Sequence, residues 1–218
     1  MSFIKSIFSL VFFFLPISIL AQNIHLIDST ISYINGAAPQ FTIMPGDTVK
    51  LLEGSREFLL IENIHGNEDS TIVFINDGLV LFDTDFFYGI TFKNSSHIRL
   101  SGSGPFIHKD DTDYGIQLKK VARGNGISVA YKSSDIEIDH IEIAHTLFSG
   151  IMVKTDPDCS FSTTRDSLTV YNISIHDNYI HHTGNEGMYI GNIFYTGKTL
   201  NCNGTDTLVF PHLIIGAW

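Results

Sequence analysis

Acidic residues, histidines and a tyrosine are concentrated in one short stretch of the C-terminal third of the chain. Imidazole and carboxylate groups exchange protons in catalysis, and they also bind sugars and metal ions. This stretch could therefore supply general acid–base groups or a binding wall. The candidate catalytic residues are His176, Asp177, His181, His182 and Glu186, and Tyr189 is a candidate binding residue.

The same residue types also suit the turns between strands. Short polar side chains satisfy backbone groups where a chain changes direction, so Asp177, His181 and His182 are also compatible with turn positions. Glu186 directly precedes Gly187 and fits either interpretation. The residue types alone leave both interpretations open.

A second polar group lies around Pro157, where Lys154 precedes Asp156 and Asp158. A lyase that cleaves uronate polymers needs a base, for which Lys154 is a candidate, and a cation that neutralises the sugar carboxylate. Asp156 and Asp158 are candidate ligands for such a cation, and Ca²⁺ is the ion that these oxygen ligands suit. The alternative is a solvated turn in which the two aspartates bind nothing.

Composition limits the classes of protein to which the chain can belong. Of its 218 residues, 44% are hydrophobic and 17% are charged, so the chain can bury a core and is not expected to be disordered. The net charge of −10 and the lack of a basic run argue against a nucleic-acid partner. Gly, Asn, Ser and Thr interrupt nearly every apolar run, which argues against helical bundles and coiled coils.

The N-terminal segment has the pattern of an export signal. Lys5 supplies a positive charge, residues 7–20 are almost continuously apolar, and Ala21 is the small residue expected before a cleavage site. A membrane anchor is the alternative, but the apolar run is shorter than the roughly 20 residues that span a bilayer. We therefore predict that residues 1–21 are a signal peptide, that no transmembrane segment remains after cleavage, and that the mature protein is secreted.

An internal repeat is the strongest architectural signal in the sequence. A shift of 37 positions places Ile136 on Ile173 and Gly150 on Gly187, and looser copies begin at residues 98 and 213. Each copy contains three short stretches in which apolar and polar residues alternate, which predicts strands with one inward face. Three strands per copy, without hairpin turns between them, predict the coils of a parallel solenoid with interior ladders of isoleucine.

The repeat register also extends the candidate site and defines the core. Asp139 and His140 lie one coil before His176 and Asp177, so they are candidate binding residues on the same wall. The predicted interior residues are Ile136, Ile138, Ile143, Ile151, Val153, Ile173, Ile175, Ile180, Met188 and Ile190.

Two cysteines, Cys159 and Cys202, are present in the chain. Both lie in polar insertions that follow the third strand of successive coils, so the insertions should emerge from the same edge of the solenoid. An even number of cysteines in an exported protein favours a disulfide, and their spacing matches no zinc motif. We predict a bridge between Cys159 and Cys202.

Two stretches carry a family resemblance: GIMVKTDPDC at residues 150–159 and HDNYIHHTGNEGMYIGN at residues 176–192. They resemble the right-handed parallel β-helix proteins, the superfamily that includes the pectate lyases, and more narrowly the secreted β-helix repeat proteins of the Bacteroidetes type. The resemblance covers about residues 41–218. It implies an all-β chain folded as a single-stranded right-handed parallel β-helix, truncated at the C-terminus, with a signal peptide (1–21), an N-terminal segment or cap (22–49) and solenoid coils (50–218).

The resemblance is less specific for activity than for fold. It implies a secreted bacterial protein, extracellular or on the cell surface, that binds or acts on an extracellular polysaccharide as a lyase or a glycoside hydrolase. The alternative is a non-catalytic cell-surface or adhesion module whose stacked coils present a binding face. The lack of a sharp catalytic motif supports this alternative. No cofactor other than Ca²⁺ is implied.

Overall fold

The computed structural model describes residues 22–106 and 113–217, and the predicted signal peptide lies outside them. The described chain is all-β and contains no helix. No helix in these ranges is long and apolar enough to cross a membrane. The strands are β1 (Ile24–Ile27), β2 (Tyr33–Asn35), β3 (Thr48–Arg56), β4 (Leu59–Glu62), β5 (Ile72–Thr84), β6 (Tyr88–Lys93), β7 (Ser96–Ser101), β8 (Ile116–Val121), β9 (Asn125–Ala130), β10 (Ser134–Asp139), β11 (Ile141–Ala144), β12 (Ile151–Val153), β13 (Thr169–His176), β14 (Tyr179–His181), β15 (Met188–Ile190), β16 (Lys198–Cys202), β17 (Thr205–Val209) and β18 (Leu213–Ala217).

Parallel pairing arranges these strands in three faces. The first face has the order β1-β3-β5-β7-β10-β13-β18, and the second has the order β3-β5-β8-β11-β14. The third face has the order β2-β4-β6-β9-β12-β15, while β16 and β17 form a separate antiparallel hairpin. Strands that follow one another along the chain mostly lie on different faces and pair with strands of the next copy. This arrangement is compatible with a β-solenoid.

The long strands β3 and β5 join the first face to the second. Residues 72–75 of β5 pair with β7, whereas residues 80–84 pair with β8. The bend between these halves passes through Gly78, which has a φ of 92°, a conformation that glycine adopts without strain. The sequence pattern predicts two strands here, separated by turn residues, but the backbone remains continuous β through the bend.

The strand register confirms the predicted repeat. Ile136 lies opposite Ile173 on one side and opposite Ile98 on the other. On the third face, Ile151 lies opposite Met188, which is the same shift of 37 positions. The apolar side chains of each coil therefore stack on those of the next, as the alternation predicts.

Most of the predicted interior residues are buried, and the exceptions lie in the last strands. Ile175 and Ile180 are half-buried, whereas Met188 and Ile190 are 50% and 41% exposed. Both exposed residues belong to β15, which ends the third face within the described residues, so no further strand covers them. Their place in the ladder is as predicted, but their burial is not.

Residues 22–49 contribute strands to the same faces as the rest of the chain. β1 pairs with β3 and β2 pairs with β4, both in parallel. The predicted boundary between residues 49 and 50 falls inside β3, and the division into cap and coils stays a prediction. Apolar residues alternate on both sides of Pro45–Gly46 and predict a strand before this turn and another after it. The first of these strands does not form, although Phe41 and Ile43 pack against the core.

The predicted disulfide between Cys159 and Cys202 is confirmed, with the two Cα atoms 5.6 Å apart. It joins the polar excursion between β12 and β13 to the β16–β17 hairpin. Such a bond is typical of proteins that fold in an oxidising compartment.

Gly150 and Gly187 occupy equivalent positions of successive copies, directly before the third-face strands β12 and β15. The two positions should differ sharply in their tolerance of a side chain. A Cβ atom at Gly150 would lie 2.4 Å from Cγ2 of Ile180 and 2.7 Å from the carbonyl oxygen of Gly187. At Gly187 the nearest atom would lie 3.8 Å away. We expect Gly150→Ala to lower the free energy of unfolding by about 1–3 kcal/mol through overpacking. Gly187→Ala should stay within about 0.5 kcal/mol of the parent.

Urea unfolding of the two glycine variants, which are equivalent in the repeat, tests this expectation. Equal losses at both positions would show that the glycines serve backbone freedom and not close packing between coils.

Candidate functional site

Part of the predicted group of polar residues, Asp139 and His176, lies together on the first face, beside two residues that the sequence did not single out. We call Arg99, Glu137, Asp139 and His176 the first-face cluster. Register places Arg99 opposite Glu137 and Asp139 opposite His176. The Nε atom of Arg99 lies 2.7 Å from Oδ2 of Asp139 and 3.1 Å from Oε1 of Glu137, and Nε2 of His176 lies 3.2 Å from the same Glu137 oxygen.

Asp139 is the buried centre of this cluster, with no exposed side-chain surface. Its Oδ1 atom accepts a hydrogen bond from Oγ of Ser101 at 2.6 Å and lies 2.6 Å from Nδ1 of His140. Burial alone would raise the pKa of the Asp139 carboxyl, but the hydrogen bonds from Arg99, Ser101 and His140 outweigh it. The pKa of Asp139 is therefore held below its ordinary value, and the carboxylate stays ionised at neutral pH.

His176 has the opposite shift. The hydrogen bond between its Nδ1 and Oδ2 of Asp177, at 2.9 Å, is the main cause of a raised pKa, and Glu137 adds to it. The imidazole therefore holds its proton to higher pH than an ordinary histidine does. In that state it donates hydrogen bonds and is not a base.

The first-face cluster has the donor types of a metal site, but its charge is already balanced. Ligand atoms of Glu137, Asp139 and His176 lie within 4.8 Å of one another. The guanidinium of Arg99 contacts both carboxylates, so it takes the place that a cation would occupy. We therefore assign no metal to this cluster.

The predicted metal ligands Asp156 and Asp158 do not fit Ca²⁺ either. Asp156 pairs with Lys154 at 3.2 Å, and Asp158 accepts hydrogen bonds from the backbone and the hydroxyl of Ser160. Among the described residues, neither aspartate belongs to a group of three ligands close enough to share an ion. The solvated-turn interpretation describes these contacts better, and no chemical step is assigned to Ca²⁺.

Five rings form a continuous row on the second face, which we call the ring row. Its members are, in spatial order, Tyr114, Tyr179, His181, His182 and His145. Neighbouring ring centroids lie 6.1, 4.2, 4.9 and 5.0 Å apart. All five rings are partly or fully exposed, so the row offers a long aromatic surface to solvent.

Backbone geometry explains how the row is built. Tyr179 and His181 are alternate residues of β14 and so lie on the same side of the strand. His182 and His145 occupy equivalent corners of successive coils and have φ values of 51° and 49°. Asp177 is also at such a corner, with a φ of 52°. The turn interpretation therefore holds for Asp177 and His182, but not for His181, which lies in a strand.

A charged pair lies beside the ring row. Oε1 of Glu142 lies 3.3 Å from Nε2 of His181, and its Oε2 accepts a hydrogen bond from Nζ of Lys119 at 3.0 Å. Glu142 is buried, whereas Lys119 is exposed. The acid is thus fixed between a cation and an imidazole on a rigid strand.

The remaining candidates gather on the third face, away from the first-face cluster. Nζ of Lys154 lies 4.9 Å from the centroid of the Tyr189 ring, and both residues line a cavity of about 360 Å³ together with Glu186. Tyr189 lies in β15 and His176 in β13, so they belong to different sheets. The structure therefore separates Tyr189 and Glu186 from the histidines with which the sequence grouped them.

Sequence reasoning missed Arg99, Glu137, Lys119, Glu142 and Tyr114. The repeat register could have identified Arg99 and Glu137, because Ile98 aligns with Ile136 and the following residue of each pair is charged. The same logic places Glu142 opposite Tyr179. For Lys119 and Tyr114 the sequence carries no comparable signal, because the copy that begins at residue 98 does not keep one offset: Ile98 lies 38 positions before Ile136, whereas Ile116 lies 25 positions before Ile141.

No protein-family model matches the chain, and no curated protein or solved structure matches it either. Function is therefore argued from the geometry of the site.

Proposed function

We propose that the chain is a secreted bacterial protein of the pectate-lyase-like type, a single-stranded right-handed parallel β-helix. It binds an extracellular polysaccharide along its second face and acts on it there. The disulfide and the export pattern of residues 1–21 support secretion. The parallel three-face arrangement and the family resemblance of the coil motifs support the fold.

The ring row is the observation that carries the proposal. The face of an aromatic ring is electron-rich, and it attracts the polarised C–H bonds on the face of a sugar ring. Five successive rings suit an extended polymer better than a single small molecule. Tyr179 and His181 lie in a strand, and His182 and His145 lie at defined corners, so ordering these four rings on binding costs little conformational entropy.

The cations nearest to the row are already paired with carboxylates: Lys119 with Glu142 on the same face, and Arg99 with Glu137 and Asp139 on the adjacent first face. Together with the net charge of −10, this pairing favours a neutral polysaccharide over a polyanion as the ligand.

A non-catalytic surface or adhesion module is the second candidate. The first-face cluster favours it, because the guanidinium of Arg99 already pairs with both carboxylates, and the hydrogen bonds to Asp177 and Glu137 raise the pKa of His176. Groups paired in this way suit the binding of a ligand better than the removal of a proton from it. An assay for cleavage of the bound polysaccharide therefore decides between an enzyme and a non-catalytic module.

Binding should depend on the centre of the ring row. We expect Tyr179→Ala to weaken binding of the recognised polysaccharide by about five- to tenfold, since loss of one stacking contact costs about 1–1.5 kcal/mol. Isothermal titration of the full chain against pectin, alginate, chondroitin and neutral glycans identifies the ligand and measures the change. In the same samples, unsaturated product that absorbs in the ultraviolet indicates a lyase, and new reducing ends without it indicate a hydrolase.

Tyr131→Ala is the matched control, because Tyr131 is 51% exposed and Tyr179 is 50% exposed. Tyr131 lies outside the ring row, so its loss should leave the affinity unchanged. Equal weakening by both variants, or binding of no glycan, would contradict the proposal.

A further inference from the structure

The ring row contains a chain of hydrogen bonds whose protons can be placed by elimination. Nδ1 of His181 lies 2.6 Å from Nδ1 of His182, and Nε2 of His181 lies 3.3 Å from Oε1 of Glu142. Two ring nitrogens at this distance must include one donor and one acceptor. Which of the two Nδ1 atoms donates depends on whether the contact with Glu142 places the proton of His181 on its Nε2 atom.

Glu142 determines the tautomer of His181. An ionised carboxylate only accepts hydrogen bonds, so Nε2 of His181 carries the proton that it shares with Glu142. A neutral His181 then has a free electron pair on Nδ1. His182 must donate its Nδ1 proton to that electron pair, which leaves the electron pair of His182 on Nε2.

The surroundings hold this arrangement in place. Lys119 donates to the other oxygen of Glu142 at 3.0 Å and so fixes the orientation of the carboxylate. The ring of Tyr179 stacks on His181 with centroids 4.2 Å apart, and the ring of His145 stacks on His182 with centroids 5.0 Å apart. In the part of the chain that the structure describes, no group donates to Nε2 of His182.

We propose that Glu142, His181 and His182 form a relay that presents Nε2 of His182 as the proton acceptor of the site. The proposal deepens the proposed function and rests on it for the nature of the ligand, an O–H group of a sugar or of water. When that group transfers its proton to Nε2, its O–H bond breaks and the electron pair stays on the oxygen. The imidazolium that forms keeps donating from Nδ1 to His181, while His181 and Glu142 act as positioning residues.

Nitrogen NMR of the full chain with labelled histidines tests the relay without a ligand. At pH 8, where ordinary imidazoles are neutral, long-range nitrogen–proton spectra distinguish the two tautomers. We expect a proton on Nε2 of His181 and a proton on Nδ1 of His182. Spectra of His181→Gln and His182→Gln assign the signals. A proton on Nε2 of His182 in the unmodified protein would overturn the proposal.

The Glu142→Gln variant should reverse both tautomers. Lys119 would draw the amide oxygen towards itself, so the amide N–H₂ would face His181 and force Nε2 to accept. The reversal moves the electron pair of His182 from Nε2 to Nδ1. Carbethoxylation of His182 by diethyl pyrocarbonate, followed by mass spectrometry, should then slow about fivefold or more, because Nε2 would carry a proton.

Glu186→Gln is the matched control, because Glu186 is an exposed carboxylate outside the relay. It should leave both tautomers and the modification rate unchanged. Unchanged tautomers in a folded Glu142→Gln variant would overturn the relay. Failure of every glycan to bind would overturn the proposed function and leave the tautomer result standing.

Discussion

The Phe74→Ala variant should lose about 3–5 kcal/mol of unfolding free energy, close to the range seen when a large aromatic residue is removed from a core. Phe74 is fully buried in the first face, and its register partners are Val49 in the preceding coil and Leu100 in the following one. Strands pair on both sides of this position, so the coils cannot collapse into the cavity without breaking register. Urea unfolding followed by circular dichroism measures the loss.

Phe87→Ala is the control for this experiment, since Phe87 is 59% exposed at a corner of the same coil region. Among the described residues its ring contacts only the ring of Phe86, edge to face, so we expect a loss of less than about 1 kcal/mol. If the two variants lost the same free energy, the interior ladder would not be the main source of stability.

Removal of the disulfide should have the next largest effect. The bond between Cys159 and Cys202 closes a loop of 43 residues, and the restriction of the unfolded chain is worth about 3–4 kcal/mol. The two bridged segments are also joined to each other by hydrogen bonds, from the amide of Thr155 to Nε2 of His212 and from the amide of Arg165 to the carbonyl oxygen of Phe210. Because the disulfide acts by restricting the unfolded chain, its loss should lower the stability of the whole fold and not of the hairpin alone.

The measurement compares the chain with the Cys159→Ser, Cys202→Ser double variant, each with and without a reductant. Reductant should lower the unfolding midpoint of the parent to that of the double variant and leave the double variant unchanged. A double variant as stable as the oxidised parent would refute the expected contribution.

Much of the fold could be predicted because the chain repeats one local pattern in successive stacked strands. The shift of 37 positions that aligns Ile136 with Ile173 in the sequence is the strand register in the structure. The pairing of the cysteines followed from the same register. These inferences needed only the alternation of apolar residues and the rule that successive coils stack.

The continuity of β5 and the exposure of Met188 could not be predicted in this way. A single bend at Gly78 and a turn between two strands have the same composition, so the pattern does not distinguish them. Exposure depends on whether another coil lies above a residue, and Met188 has none among the described residues. The alternation of apolar residues shows which side of a strand a residue faces, but it does not show whether another strand covers that residue.

The candidate site was predicted in part, for a similar reason. Asp139 and His176 face each other as the register predicts, but their charge is balanced by Arg99 from an earlier coil. Glu186 and Tyr189, which are near His182 in sequence, lie on the third face with Lys154. Residues that are close in sequence lie on different faces of the same copy. The contacts that form the first-face cluster instead join residues of successive copies.

The alternation along each strand has a consequence for how such a protein changes over evolutionary time. Ile98 and Ile136 point inward and carry the packing, while their neighbours Arg99 and Glu137 point outward and carry the charge. A substitution at an outward position alters what the surface recognises but leaves the interior ladder intact. Ligand preference and stability are therefore encoded on separate residues of the same strand, and a lineage with this architecture can acquire a new ligand without first acquiring a more stable core.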